Sequence, residues 1–155
     1  MALAASAETC RIAVAFFPLN SALAGGPSAD FPRKVGVTAI ITTQYERTRK
    51  TAAPTAAALH ITPEVVDAGP VAQHAKAVAD QILKHAGGTV LVVGHSNTVP
   101  AIVGALGAPK PRDLCDSEYD QLFVVVIGDA GPPRVIRSRY GVATPDDPAC
   151  AGMSR

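Results

Sequence analysis

The sequence has few charged residues, few cysteines and no long apolar run, and each shortage excludes a class of protein. Charged residues make up 17% of the 155 positions and the net charge is +1, so the chain lacks the basic surface that a nucleic-acid partner requires. No apolar run approaches the roughly 18 residues needed to span a bilayer. We therefore expect no nucleic-acid or membrane partner. The 48% of hydrophobic residues instead predicts a globular domain with a sizeable core.

The cysteines and the first residues predict little about partners or location. Cys10, Cys115 and Cys150 are odd in number and widely spaced, which predicts buried or free thiols, with no disulfide framework and no zinc site. The segment of residues 1–7 is short and lacks the basic start of a signal peptide. We expect a cytoplasmic protein, and export is the alternative if these residues are the remnant of a cleaved signal.

Runs of β-branched residues alternate with helical patterns along the chain. Strands are predicted at residues 12–17, Val37–Thr42, 64–66, 89–93 and 122–127, with an antiparallel edge partner at 134–140. Helices are predicted at residues 45–59, 71–86 and 99–106. Pro54 should bend or restart the first helix, and Gly87 is the expected C-cap of the second. This alternation predicts a three-layer α/β/α sandwich with a mainly parallel sheet.

We expect these elements to form a single domain. Residues 1–34 are a divergent N-terminal segment, in which one predicted strand is followed by a Gly- and Pro-rich loop with no helical period. Residues 35–140 form the core of the domain. Residues 141–155 contain the sequence Pro-Asp-Asp-Pro and are predicted to be a loose tail.

The segment from 89 to 100 is the strongest candidate for a functional site. A buried strand ends immediately before His95, and a helix begins at once, with Ser96, Asn97 or Thr98 able to cap it and Pro100 suited to its first turn. His95 is therefore expected at the carboxyl end of a strand, beside a helix N-terminus that attracts anions. Open α/β sheets place their ligands there.

A second strand-to-helix segment, residues 42–52, brings a cation to the same edge of the predicted sheet. The guanidinium of Arg47 can grip a phosphate through two parallel hydrogen bonds, with His95 nearby for proton transfer or charge stabilisation. The alternative is that Arg47, Arg49 and Lys50 form only the solvated face of a helix.

Together the two segments resemble the histidine phosphatase superfamily, also called phosphoglycerate mutase-like. Residues 40–52 are similar to that family's strand followed by Ser-x-x-x-Arg-Ala-x-x-Thr-Ala, and residues 89–99 to its second-histidine strand, Val-x-Val-Val-Gly-His. The resemblance extends over about residues 35–140. It implies phosphoryl transfer from a phosphate monoester or a phosphohistidine, with a small phosphorylated molecule as ligand and with no metal or organic cofactor.

The resemblance also implies roles for individual residues. Arg47 matches the pocket arginine and His95 the second histidine, which would donate to the phosphoryl oxygens as charge builds up. Asp67 lies where many members carry their acid, as does Glu64, although both could be exposed loop carboxylates. The further candidate phosphate contacts beside His95 are Ser96, Asn97 and Thr98. The remaining histidines, at helix ends or on helix surfaces, are expected to face solvent: His60, His74 and His85.

The sequence departs from the family at its first motif. A nucleophilic histidine, within Arg-His-Gly or Arg-His-Ala, should follow the first strand, but Phe16, Phe17 and Pro18 stand there and the first histidine of the chain is His60. Phenylalanine cannot act as a nucleophile, so we expect phosphoryl transfer to be impaired. Two explanations stay open, a diverged relative and a reading-frame or start error in residues 1–34. Nothing in the sequence supports a substitute nucleophile.

Two other functions follow from the same residues. A protein that keeps only Arg47 and His95 would be a pseudophosphatase, a non-catalytic phosphate-binding or interaction protein. A remote alternative is an esterase of the α/β-hydrolase type with Ser96 as its nucleophile. That reading is weakened because Thr98 replaces the last glycine of the elbow and no histidine follows Ser96.

Overall fold

The computed structural model describes the backbone of residues 10–16 and residues 33–115, 117–118, 120–128, 131–140, 148 and 150. In chain order, the elements of this part are β1 (Cys10–Phe16), β2 (Val37–Thr42), α1 (Glu46–Leu59), β3 (Glu64–Val65), α2 (Val71–Leu83), β4 (Thr89–Gly94), α3 (Thr98–Ala105), β5 (Gln121–Ile127) and β6 (Arg134–Arg139). Most of the predicted N-terminal loop and of the predicted C-terminal tail lies outside the described residues.

One six-stranded sheet has the order β3-β2-β4-β1-β5-β6. The neighbours among β3, β2, β4 and β1 are parallel, whereas β5 is antiparallel to β1 and β6 is antiparallel to β5. The sheet is therefore mainly parallel, and β6 is the antiparallel edge strand that the sequence predicts. No helix in the described segments has the length and apolar character needed to cross a membrane.

The two faces of the sheet are covered by different helices, which confirms the three-layer architecture. Val90 and Val92 of β4 pack with α2 and α3 on one face, whereas Leu91 and Val93 pack with α1 on the other. All residues of β4 are buried, which explains its continuous apolar run. The carboxyl end of this strand is thus fixed from both sides.

Two helices differ in detail from the prediction. α1 continues through Pro54 without a break. Pro54 is on the exposed side of the helix, where water can bond the carbonyl group that proline leaves without a partner. α2 ends at Leu83 with Lys84 as its C-cap, earlier than predicted. Gly87 instead occupies the turn before β4, with a φ of 81° that favours glycine.

The prediction that the cysteines are free was wrong for two of them. Cys115 and Cys150 form a disulfide, with an S–S distance of 2.03 Å and a Cα–Cα distance of 5.7 Å. Because β5 and β6 are antiparallel, with Gln121 paired to Arg139, the chain before β5 and the chain after β6 lie at the same end of the sheet. The separation of 35 residues along the chain hides this proximity.

One of the three histidines expected to face solvent is buried. His74 is 3% exposed, next to Ala75 on the buried side of α2, and its Nδ1 lies 3.0 Å from the carbonyl oxygen of Asp67. His85 is partly exposed and its Nε2 lies 2.9 Å from Oε1 of Glu64. His60 is exposed, as predicted, at the C-cap of α1. The expectation for His74 was wrong because the loop before α2 folds over the helix.

Candidate functional site

The carboxyl ends of the parallel strands bring three loops together. We call residues 43–47 the first junction; they follow β2 and include the first residues of α1. We call residues 95–98 the second junction; they follow β4 and include the first residue of α3. The third loop joins β3 to α2. It is tied to the first junction by the side-chain amide of Gln44, whose Nε2 donates to the carbonyl oxygen of Ala68 (3.3 Å) and whose Oε1 accepts from the Ala68 amide (2.7 Å). The loops therefore share one edge of the sheet.

The second junction satisfies its own backbone groups. The amide of His95 donates to Oγ1 of Thr98 (3.1 Å), and the carbonyl of His95 accepts from the amides of Thr98 and Val99, each at 3.1 Å. Pro100 has no N–H to offer. The hydroxyl of Thr98, a predicted phosphate contact, is buried and faces the backbone of His95. The first amides of α3 are thus already bonded inside the protein, and the anion attraction expected of this helix end is reduced.

The imidazole of His95 is connected to the first junction by a chain of hydroxyl groups. Its Nε2 lies 3.2 Å from Oγ1 of Thr43, and that oxygen lies 2.9 Å from Oγ1 of Thr48. Both threonines are buried. The hydroxyl of Thr48 donates to the carbonyl oxygen of Tyr45 at 2.9 Å. This chain holds the ring of His95 against the start of α1.

Tyr45 stands between the two predicted site residues. The guanidinium carbon of Arg47 is 5.4 Å from the centroid of the Tyr45 ring, within the range of a cation–π contact. The same ring meets His95 edge-on, with centroids 5.4 Å apart and an interplanar angle of 77°. The structure thus brings Arg47 and His95 together. The sequence analysis missed Tyr45, whose only signal was its place two positions before Arg47.

The electrostatic environment of His95 keeps its ring neutral. Burial lowers the pKa of His95 to about 4, and the electrostatic effects of Arg47 and His74 lower it further. Among the described residues, no carboxylate forms an ion pair with Arg47. The nearby carboxylate of Glu46 is instead bonded to Lys50, 2.8 Å away. The edge therefore carries a positive charge beside a neutral imidazole.

The other predicted site residues lie on the same edge. Asp67 is exposed, and its carbonyl group is held by the buried His74. Ser96 accepts from the Leu114 amide through its carbonyl oxygen, at 3.2 Å. Asn97 is exposed at the N-cap of α3 and forms no side-chain capping bond. In the described segments, no group of three or more His, Cys, Asp or Glu residues is arranged to hold a metal ion.

The strand to which the resemblance assigns a nucleophile is next to β4. β1 is parallel to β4, with Phe16 paired to Gly94, the residue before His95. The resemblance therefore puts the missing Arg-His motif beside His95. The residues that follow Phe16 in the sequence, Phe17 and Pro18, lie outside the described residues.

Solved structures with the same fold come from several organisms. No protein-family model matches the sequence, and no curated protein matches it. A protein described as mycobacterial hydrolase 1 is 11% identical, with a TM-score of 0.58 over 87% of this chain and 99% of its own. A Nakamurella multipartitia protein described as a phosphohistidine phosphatase, SixA, is 19% identical, with a TM-score of 0.57 over 88% and 99%.

A third structure, the phosphoglycerate mutase from Plasmodium falciparum, is 14% identical, with a TM-score of 0.53 over 90% of this chain and 94% of its own. At these identities the likeness concerns the fold. The chain has a phosphoglycerate mutase-like fold.

Proposed function

We propose that the edge formed by Arg47 and His95 binds the phosphoryl group of a small phosphorylated molecule, and that turnover through a phosphohistidine is impaired in this chain. One observation carries the proposal. Arg47 and His95 contact the same Tyr45 ring, and the charge of Arg47 has no carboxylate partner among the described residues. We expect a phosphate-sized anion to bind at the edge that carries both residues.

The first junction supports binding of an anion rather than of a cation. α1 begins after Tyr45 without a side-chain capping bond, so amides of its first turn add the positive end of the helix dipole to the charge of Arg47. The guanidinium is exposed and can form two parallel hydrogen bonds to phosphoryl oxygens. The neighbouring structures described as a phosphohistidine phosphatase and a phosphoglycerate mutase act on ligands of the same class.

Impaired turnover follows from the residues after β1. The sequence there is Phe16, Phe17 and Pro18, and none of these side chains can accept a phosphoryl group. Binding through Arg47 and His95 does not require a nucleophile. No observation favours the esterase alternative, because the sequence has no histidine after His95.

Thermal unfolding with and without inorganic phosphate tests the binding. A ligand that binds only the folded state raises the melting temperature, so phosphate should stabilise the parent protein. Arg47→Ala should remove this effect, since a charge-assisted bidentate contact contributes about 2–3 kcal/mol. Arg49→Ala is the matched control, because Arg49 is an exposed arginine of the same helix and should leave the effect intact. A parent protein that phosphate does not stabilise would contradict the proposal.

Hydrolysis of an aryl phosphate tests the second half of the proposal. We expect no turnover above the uncatalysed rate in the parent protein. Turnover that is lost in both Arg47→Ala and His95→Ala would show an active phosphatase and would reject impairment, while leaving the binding site in place.

A further inference from the structure

We infer that the site binds its phosphoryl ligand together with one proton, because His95 offers a hydrogen-bond acceptor, Nδ1, to the ligand. The ligand is then the singly protonated phosphate or phosphate monoester, a monoanion, rather than the dianion that dominates at neutral pH. This inference rests on the proposed function and changes the role of His95 from donor to acceptor.

The hydroxyl chain determines which nitrogen of His95 carries the hydrogen. Thr48 has one hydroxyl hydrogen and donates it to a carbonyl group, of Tyr45 at 2.9 Å or of Thr43 at 3.2 Å. Its oxygen is then an acceptor, so the hydroxyl of Thr43 donates across the 2.9 Å contact to Thr48. The oxygen of Thr43 can only accept from Nε2 of His95 at 3.2 Å. In the opposite assignment Thr48 would donate to Thr43 and Thr43 to Nε2, and the hydroxyl of Thr48 would lose its bonds to both carbonyl groups.

A neutral imidazole with its hydrogen on Nε2 has a lone pair on Nδ1. No described residue forms a hydrogen bond with Nδ1. Tyr45 contacts the ring edge-on, and Arg47 and His74 act on it electrostatically. None of them is a carboxylate. The positive charge of Arg47 opposes protonation of the free ring and so preserves this state until an anion arrives.

A phosphate dianion has no hydrogen to donate. Its oxygen lone pair would face the lone pair of Nδ1, and the two would repel each other. The second pKa of a phosphate monoester is about 6, so the monoanion has a P–O–H group that can donate to Nδ1 while its other oxygens bind Arg47. Above pH ~6, each binding event therefore takes up one proton, and the affinity falls about tenfold per pH unit.

Isothermal titration calorimetry with inorganic phosphate measures the proton directly. Titrations at pH 8 in buffers with different ionisation enthalpies should give close to one proton taken up per phosphate bound. Sulfate, which has the same shape but remains a dianion, should bind more weakly than phosphate at pH 6. Phosphate binding with no proton uptake would overturn the inference and leave the proposed function standing. No phosphate binding at pH 6 or pH 8 would overturn both.

Two variants and a spectroscopic readout test the hydroxyl chain itself. In the free parent protein, ¹⁵N NMR should show the hydrogen of His95 on Nε2. Thr48→Val removes the acceptor of the Thr43 hydroxyl, which then donates to Nε2 and moves the ring hydrogen to Nδ1. We expect this variant to bind phosphate at pH 8 with less proton uptake and with higher affinity than the parent. A purely structural role for Thr48 would lower the affinity instead.

Thr43→Val is the companion variant, because it deletes the hydroxyl that contacts Nε2 at nearly constant volume. In this variant no acceptor holds the ring hydrogen on Nε2, so the NMR spectrum should show a hydrogen on Nδ1 in part or all of the molecules. A parent protein whose His95 already has its hydrogen on Nδ1 would overturn the inference whatever the calorimetry gives.

Discussion

The two strand-to-helix junctions occupy equivalent places at the carboxyl edge of the sheet, yet they are built in opposite ways. The second junction closes on itself, since Thr98 and the backbone of His95 satisfy each other. Neither N-cap residue, Tyr45 or Asn97, forms a side-chain capping bond, but the first junction presents the charge of Arg47 without a carboxylate partner among the described residues. The same local pattern can therefore give a rigid support in one place and an open anion contact in another.

The difference separates the two properties that a phosphate site needs. His95 is half-buried and neutral. The second junction fixes its backbone, and the hydroxyl chain of Thr43 and Thr48 orients its ring. Arg47 is exposed and charged. We expect the affinity of the site to depend mainly on Arg47, and its preference between protonation states to depend mainly on His95 and the hydroxyl chain.

The disulfide near the second junction is expected to give the largest difference in stability between the two junctions. The disulfide Cys115–Cys150 anchors the chain after α3, where the amide of Leu114 bonds the carbonyl of Ser96. Closing a loop of 35 residues contributes about 3–4 kcal/mol to the free energy of unfolding by restricting the unfolded chain. Urea unfolding with and without dithiothreitol should show this loss, and the double variant Cys115→Ser/Cys150→Ser should not respond to the reductant. Equal midpoints for the oxidised and reduced parent would contradict the bracing.

Local patterns were enough to predict most of the fold. β4 is buried on both faces and therefore has a continuous apolar run, which is visible in the sequence. β6 is an edge strand, as predicted, and its residues are mostly exposed. The disulfide could not be predicted, because its two cysteines meet only after β5 and β6 have paired. Burial of His74 was missed for a similar reason, since it depends on the loop that carries Asp67 folding over α2.

The main residues of the candidate site could be predicted, but the contacts between them could not. Arg47 and His95 follow from the two strand ends, and the parallel sheet brings them to one edge. The contact from Thr43 to His95 spans 52 residues, and nothing in the local sequence signals it or the intervening ring of Tyr45. The role of Asp67 as an acid stays a prediction, since its side chain makes no contact that assigns one.

The close packing around Gly94 predicts that one added methyl group at this position lowers the stability of the protein. A Cβ at Gly94 would lie 3.1 Å from Cγ2 of Val99 and 3.2 Å from Oγ1 of Thr98. Gly94→Ala should therefore lower the free energy of unfolding by about 1–2 kcal/mol, as overpacking does, and weaken phosphate binding by displacing His95. Gly69→Ala is the control, because a Cβ there would meet no atom within 4 Å. Equal unfolding midpoints for the two variants would show that the second junction can relax.

Acid should destabilise the protein through the ring of His95. Its pKa is about 4 in the folded protein, against an ordinary value of 6.5, so the unfolded state binds more protons between these values. Stability is then complete above pH 6.5 and is lost as the pH falls towards 4, by on the order of 1 kcal/mol once the solvent exposure of the ring is discounted. His95→Asn should flatten this part of the stability curve measured by urea unfolding. An unchanged pH dependence in the variant would assign the acid sensitivity to other groups.

The smallest expected effect distinguishes two adjacent threonines at the end of β2. Thr42 is 1% exposed and its hydroxyl has no hydrogen-bond partner among the described residues, whereas the hydroxyl of its neighbour Thr43 contacts both Thr48 and His95. A buried hydroxyl without a partner is costly, so Thr42→Val should raise the free energy of unfolding by up to about 1 kcal/mol. Thr43→Val should lower it by a similar amount, because it leaves Nε2 of His95 without its acceptor. Destabilisation by Thr42→Val in thermal or urea unfolding would mean that this hydroxyl has a hydrogen-bond partner in solution.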